Sequence, residues 1–447
     1  MRGQGSELHK SGGDLFPPEP IHRLTKPVER FMHVEAASGG VLLVATLMAI
    51  GLANSPVAEG IEHFWHTPLA VSVGSFEFRI SLAHFINDGL MAVFFFVVGM
   101  EVKRELVLGE LRDARRAALP IAAALGGMIV PAGVYLALQW GRPGARGWGI
   151  PMATDIAFVV GCLSVMGSRV PHGLRVMMLA LAIADDIGAI LVIAFGYSDG
   201  LSWSWLLAGL AGLGVVFGLM RLGVRSSLIY IMTATFVWFA FHESGVHATI
   251  AGVILGAMVP ARSYLPRSLA SRAVPLIERL ARDDEDDAHS QLERIHRLRL
   301  AVKEMVSPVE YWIHGLHPWV SFLIMPVFAL ANAGVAVQIA HISSSISVAV
   351  MLGLLIGKTI GIVLVSWLAV KSGLARLPNG VSGKHLLAGG LLGGIGFTMS
   401  LFIASLALNA DQLAQAKVGI LIGSAVCAAA GLLVLKTCPQ CVEVRSP

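Results

Sequence analysis

Two adjacent acids, Asp185 and Asp186, interrupt an otherwise apolar run that reads L-A-L-A-I-A-D-D-I-G-A-I from Leu179 to Ile190. The stretch from Met177 to Phe195 is 19 residues long with Asp186 at its middle, and about 20 residues rising ~1.5 Å each cross a bilayer as a helix. The pair therefore sits near the membrane midplane. A carboxylate there costs roughly 2.5–3.5 kcal/mol on the insertion scale. Two side by side need a chemical reason, and holding a cation or a proton is the direct one.

Two further ionisable side chains fall deep in apolar segments. Asp155 follows Thr154 in a short segment entered through Pro151, and Lys358 is the midpoint of the 25-residue run Ile346–Val370. At roughly 3 kcal/mol each, the four charges cost about 12 kcal/mol before pairing, so they are expected to face one another or a watery cavity. A salt bridge between helices accounts for one acid and one base. Three acids against one base leave surplus carboxylate, which favours a cation site. The backbone adds a second signal: Gly393-Gly394-Ile395-Gly396, followed by F-T-M-S, should interrupt a helix at mid-membrane. Broken helices expose carbonyls and helix ends to an ion.

The rest of the chain must hold these groups in a bilayer. Its 447 residues are 55% hydrophobic and 14% charged, with a mean hydropathy of +0.72, whereas a soluble chain carries about a quarter charged residues. Twelve apolar segments between residues 36 and 435 predict an all-α polytopic membrane protein of about 12 transmembrane helices. Of the 33 Lys and Arg residues, only Arg79, Arg142, Arg146 and Lys417 fall at or near the side opposite the tails, and Lys358 falls inside the membrane. This bias places both termini in the cytoplasm. The net charge of +4 is then topological, and no nucleic-acid partner follows. The predicted organisation is a cytosolic tail over 1–31, a membrane transporter domain over 32–437 that includes a cytosolic loop at 260–313, and a C-terminal cytosolic tail over 438–447. The first tail contains Pro17, Pro18, Pro20 and Pro27, with room for a short interfacial helix around Ile21–Met32. The loop joins the acidic run Asp283–Asp287 to a basic helical stretch carrying Leu292, Ile295, Leu298 and Val302. It reads as a solvated insertion with a surface helix. Of the four cysteines, Cys162 and Cys427 lie in apolar segments, while Cys438 and Cys441 form C-P-Q-C without the second pair a zinc site needs.

One short stretch has a different period. Val71, Val73, Phe76, Phe78 and Ile80 alternate with Ser72, Glu77 and Arg79 around Gly74-Ser75, which predicts a β-hairpin over 69–81 on the extracytoplasmic side. A lone hairpin is marginal and leaves open edges, so it is expected to pair with a second copy in a homodimer.

Long runs then point to a family. I-N-D-G-L-M-A-V-F-F-F-V-V-G-M-E-V-K-R-E-L (Ile86–Leu106), A-T-D-I-A-F (Ala153–Phe158), G-S-R-V-P (Gly167–Pro171), A-D-D-I-G-A-I, S-G-V-H-A-T-I-A-G-V (Ser244–Val253), H-P-W-V (His317–Val320), A-N-A-G-V (Ala331–Val335), L-L-I-G-K (Leu354–Lys358) and G-I-G-F-T-M-S (Gly394–Ser400) occur in this order. Together they closely resemble the NhaA type of Na+/H+ antiporter from about residue 32 to 436. The resemblance implies inverted repeats with two broken, crossing helices. It also implies an electrogenic, pH-regulated exchanger of the bacterial inner membrane that expels Na+ or Li+ in return for protons, surrounded by lipid and needing no cofactor. Asp185 and Asp186 match the essential acids, with Asp185 toward the lysine and Asp186 toward the Na+. Thr154 and Asp155 match the helix crossing, and Lys358 the membrane lysine. Glu101, Glu105, His314 and His317 match positions tied to pH sensing, and His247 is either an uncharged hydrogen-bonding group or a switch. Ile313 departs from the family, which often has an acid directly before the first of these two histidines; Glu310, about one turn earlier, is a substitute.

In such a site proton and sodium compete for the same oxygens, and alternating access turns that competition into exchange. No phosphate-binding loop for ATP appears in the sequence, which leaves an ion gradient as the driving force. A cation channel remains open from the residues alone. So does an intramembrane aspartyl protease, although adjacent helical residues diverge by about 100° and a protease dyad must converge.

Overall fold

The computed structural model describes residues 35–73, 76–197, 200–224, 226–263, 307–336 and 338–439. The expected interfacial helix of the N-terminal tail, the Gly74-Ser75 turn, the acidic run and surface helix of the 260–313 loop, and Cys441 lie outside the described residues. A chain in hydrocarbon must satisfy its backbone internally, which dictates helices, and helices build nearly all of this structure.

The first helix, α1 (Glu35–Ala53), turns through 116° into the short amphipathic α2 (Ala58–Trp65). Strands β1 (Pro68–Val73) and β2 (Phe76–Ser81) follow and pair antiparallel, with Val71 opposite Phe78 and Val73 opposite Phe76, so the expected hairpin forms in the expected place. Ser81 then ends the strand and starts a helix at once, its hydroxyl accepting from His84 N–H at 3.2 Å. That helix, α3 (Leu82–Val107), runs from the hairpin side to the Arg-rich turn around Arg112–Arg116, where α4 (Ala114–Gln139) returns.

Next comes a 3-10 segment, Pro143–Met152, a short α5 (Ile156–Met166), and α6 (His172–Gly196), which carries the acid pair. Then α7 (Trp203–Arg221), α8 (Ser227–Ser244) and α9 (Thr249–Met258) lead to the long loop. Beyond it lie α10 (Pro308–Asn332), α11 (Ser345–Lys371), the consecutive helices α12 (Gly383–Gly393) and α13 (Phe397–Ala407), and α14 (Ala410–Lys436).

The apolar segments of the sequence are largely helical, and by length and composition alone fewer of them reach a full crossing than the twelve expected. Among the described residues seven helices are long and apolar enough to span a membrane, or up to ten if each bent pair is one span. Two expected crossings fall short for different reasons. At 10 residues α9 is about half the length a crossing requires, and the end of α8 carries His242 and Glu243, which dilute its apolar run.

Packing around the site depends on helices that touch backbone to backbone. A Cβ on Gly361 of α11 would lie 2.1 Å from the Gly126 carbonyl of α4, and one on Gly126 would lie 2.2 Å from the Gly361 carbonyl. Only a residue without a side chain fits on either helix. Small residues of this kind replace the hydrophobic drive that lipid cannot supply between helices. Gly361→Ala should therefore force α4 and α11 apart and lower stability by about 1–3 kcal/mol, as overpacking does elsewhere. A thermal midpoint in detergent equal to that of the unaltered protein would show that the helices separate freely.

Candidate functional site

The site forms where two interrupted helices meet. The Pro143–Met152 segment bends by 41° into α5, and α12 bends by 42° into α13. Pro151 lies inside the first half of the first pair, where it removes a backbone donor and works against a regular α-helix, whereas Pro143 occupies its first position, where the missing donor costs nothing. The glycine cluster explains the second break by the room it leaves. A Cβ on Gly394 would sit 2.6 Å from the Leu354 carbonyl and 2.7 Å from Cys427 Sγ.

Hydrogen bonds join the two breaks directly. Asp155 N–H donates to the Ile395 carbonyl at 2.7 Å, and the Thr154 hydroxyl donates to the Gly393 carbonyl at 2.9 Å. Asp155 then caps both second halves. One carboxylate oxygen accepts from Phe158 N–H of α5 at 3.3 Å; the other accepts from Thr398 N–H of α13 at 3.1 Å and from the Thr398 hydroxyl. A negative charge at two helix N-termini is stabilising. Thr398 was not singled out from the sequence, although it lies inside G-I-G-F-T-M-S. On the far side of the same break, Phe397 N–H donates to the Ser424 hydroxyl of α14 at 3.2 Å.

Lys358 stands beside this crossing. A wide π-turn over Gly353–Lys358 interrupts α11, and its side chain is fully buried. The ammonium donates to both Asp185 oxygens, at 2.9 and 2.8 Å, and to the Met152 carbonyl, the last residue of the 3-10 segment.

Asp186 has a different environment. It is 4% exposed, against 1% for Asp185, and its charged neighbours are Asp185, Glu101, Asp155 and Lys358. Among the described residues no group donates a hydrogen bond to its carboxylate. The two acids thus diverge as adjacent helical positions must. That divergence is incompatible with a protease dyad, since Asp185 is committed to Lys358.

The residues matched to pH sensing separate into three places. Glu101 of α3 lies 3.9 Å from His317 Nε2 of α10. His317 and His314 line a depression of about 420 Å³ on the Arg-rich side together with Arg104, Glu310 and Ile313. Ile313 is buried, so the position that departs from the family points an apolar group inward, and Glu310 is the acid that lines this depression. Glu105 does not line it: its carboxylate accepts from Glu110 N–H at 2.7 Å and closes the turn after α3. His247 lies at the opposite end, on the hairpin side. Its Nδ1 is 2.9 Å from the Thr249 hydroxyl and 3.4 Å from Thr249 N–H, which can only donate, so the ring proton sits on Nε2, 3.8 Å from Asp88. His242 Nδ1 is 3.4 Å from the other Asp88 oxygen. Asp88 and His242 were not anticipated, because the partners lie some 150 positions apart and share no local pattern.

Comparison with known proteins fits this geometry. Residues 29–435 match the family described as Na+/H+ antiporter 1. The chain belongs to that family. It is 52% identical to the Na(+)/H(+) antiporter NhaA of Rhodopirellula baltica over 95% of this chain and 97% of the relative. It is 48% identical to that of Rhizobium meliloti over 94% and 96%, and 49% identical to NhaA 2 of Myxococcus xanthus over 94% and 93%. These Na+/H+ antiporter 1 relatives are named as transporters and not as enzymes.

Removing one partner of a buried ion pair strands the other. Lys358→Met should therefore cost about 3–5 kcal/mol, while the double change Lys358→Met with Asp185→Leu should recover most of the loss, because an apolar pair of similar volume needs no counter-charge. Thermal midpoints of the two variants in detergent decide this; a stable single variant would mean that Lys358 carries no structural charge.

Proposed function

We propose that the chain is a secondary antiporter that exports Na+ or Li+ in exchange for protons, with Asp186 as the group both ions compete for. The observation that carries this reading is the contrast between the two acids. Asp185 is fully paired, whereas Asp186 is a buried carboxylate with no donor among the described residues. An ionised carboxylate so placed must be neutralised, by a proton on one of its oxygens or by a cation beside them. Asp155, Thr154 and the carbonyls freed at the two breaks are the oxygens that would complete a Na+ site with Asp186. Lys358 balances Asp185 and the carbonyl ends of α12 and the 3-10 segment, where a positive charge is favoured.

In this reading twelve segments cross the bacterial inner membrane, both termini are cytoplasmic, and the hairpin side is extracytoplasmic. Glu101 and the depression lined by His314 and His317 give the site its cytoplasmic access. These groups, Glu105 at the adjoining turn and His247 near the outer end make exchange respond to pH. Exchange is electrogenic, as the family resemblance implies. The hairpin joins two protomers by strand pairing.

Asp186→Asn and Asp185→Asn should both abolish Na+-induced proton movement in proteoliposomes, yet differ in binding. Calorimetry should find no Li+ association in Asp186→Asn at a near-normal thermal midpoint, and a lowered midpoint in Asp185→Asn. Retained Li+ binding in Asp186→Asn would reverse the assignment. Deleting residues 69–81 should give monomers that still exchange ions; dimers that persist on crosslinking would sink the hairpin interface.

A further inference from the structure

Phe402 of α13 is a fully buried ring gripped by three others from three separate elements. Its centroid lies 5.5 Å from Phe95 of α3, 6.2 Å from Phe328 of α10 and 5.3 Å from the His247 ring ahead of α9, the last edge-on at 80°. All are tilted or edge-to-face contacts within the favourable range for aromatic pairs. Phe402, Phe95 and Phe328 are at most 1% exposed.

The position of this cluster matters more than its packing. Phe402 lies one and a half turns, about 7.5 Å, past the start of α13, on the hairpin side of the break. Phe95 lies about 9 Å from Glu101 along α3, again toward the hairpin. The cluster therefore lies at a level nearer the hairpin than the helix breaks, while the Glu101–His317 depression lies toward the Arg-rich side. The joints of α13 are also of two kinds. Toward the crossing it is fastened by hydrogen bonds: Thr398 to Asp155, Phe397 N–H to Ser424, and the Ser400 hydroxyl to the Ile150 carbonyl at 2.7 Å. Toward α3, α9 and α10 no hydrogen bond or ion pair reaches it among the described residues; the contacts there are apolar, with the Phe402 ring at their centre. Ring contacts part without leaving a polar group unsatisfied, and a dry apolar constriction excludes hydrated ions by dewetting.

We propose that Phe402, held by Phe95, Phe328 and His247, is the gate that closes the ion site on the hairpin side, and that the cation leaves there when this ring withdraws from its three neighbours. The proposal rests on the exchange reading above for what passes the gate. The seal itself depends only on the rings.

The test reads accessibility and not transport. In a background with Cys162, Cys427, Cys438 and Cys441 replaced, Asp186→Cys places a thiol at the proposed ion site itself. A charged, membrane-impermeant maleimide added to the hairpin side of oriented proteoliposomes should label it slowly. With Phe402→Ala, labelling should accelerate about tenfold, equivalent to a shift of about 1.4 kcal/mol toward the open state. Phe328→Leu should give a smaller rise in the same direction. If Phe402→Ala fails to give a monodisperse protein with a thermal transition, Phe402→Leu, which keeps an apolar side chain but loses the ring contacts, takes its place with the same expectation. Unchanged labelling in the folded variant overturns the gate, whatever the exchange activity. Faster labelling in a protein whose unaltered form moves no protons in response to Na+ upholds the gate and refutes the exchange reading.

Discussion

The Lys358–Asp185 pair is the constraint around which the membrane domain is built. Two full charges leave water to form it, and only tight geometry offsets that cost. The ammonium meets this demand with both oxygens of one carboxylate and one backbone carbonyl. Each contact requires something of a different element: α6 must present Asp185, the 3-10 segment must end at Met152, and α11 must widen into a π-turn. The close approach of α4 to α11 at Gly126 and Gly361 then fixes α11 against the rest. Because Asp185 is taken, Asp186 is the acid to which the proposed exchange assigns the mobile ion.

The crossing of the two breaks obeys a related rule. An interrupted helix in a membrane exposes backbone groups that no solvent can satisfy. Here each break satisfies the other, through Asp155 N–H to Ile395 and Thr154 to Gly393. The double cap by Asp155 extends this economy to two helix N-termini at once. Neither break is a defect that the fold tolerates, since removing one would leave the other with unmatched donors and acceptors.

Much of this was legible in the sequence, and the parts that were not share a cause. Charges at the midpoints of apolar runs, the glycine cluster and the period-two hairpin are local signals, and the structure pairs Lys358 with Asp185, breaks the helix at the glycines and pairs the hairpin strands. Twelve apolar segments could be counted because apolar runs are contiguous. Whether each is long enough to span was not readable, because α9 and α8 differ from full crossings only in length and polar ends. The break at Thr154 gave a faint signal, since a proline some residues away sets it and no glycine lies there. Contacts such as Asp155 with Thr398, or Asp88 with His242, join positions far apart in the chain, and no periodicity records them. Glu105 was matched to pH sensing by the family resemblance alone, and the contact that its carboxylate makes with Glu110 N–H at the turn after α3 has no signature in the sequence.

The unequal commitment of the two acids also limits the electrical work the membrane can do on the protein. If Lys358 and Asp185 stay paired, their charges cancel, and Asp186 carries one proton in one direction and one Na+ in the other. Such a cycle moves no net charge, and a membrane potential worth about 2.3 kcal/mol per elementary charge at 100 mV would neither speed nor oppose it. A voltage-driven cycle must carry a second proton, and that proton must displace a partner already in place. Around Asp186 the groups that could accept it are the Asp185–Lys358 pair, Asp155 with its caps on α5 and α13, and Glu101 beside His317. Coupling to voltage through the first of these would amount to the periodic breaking of a salt bridge.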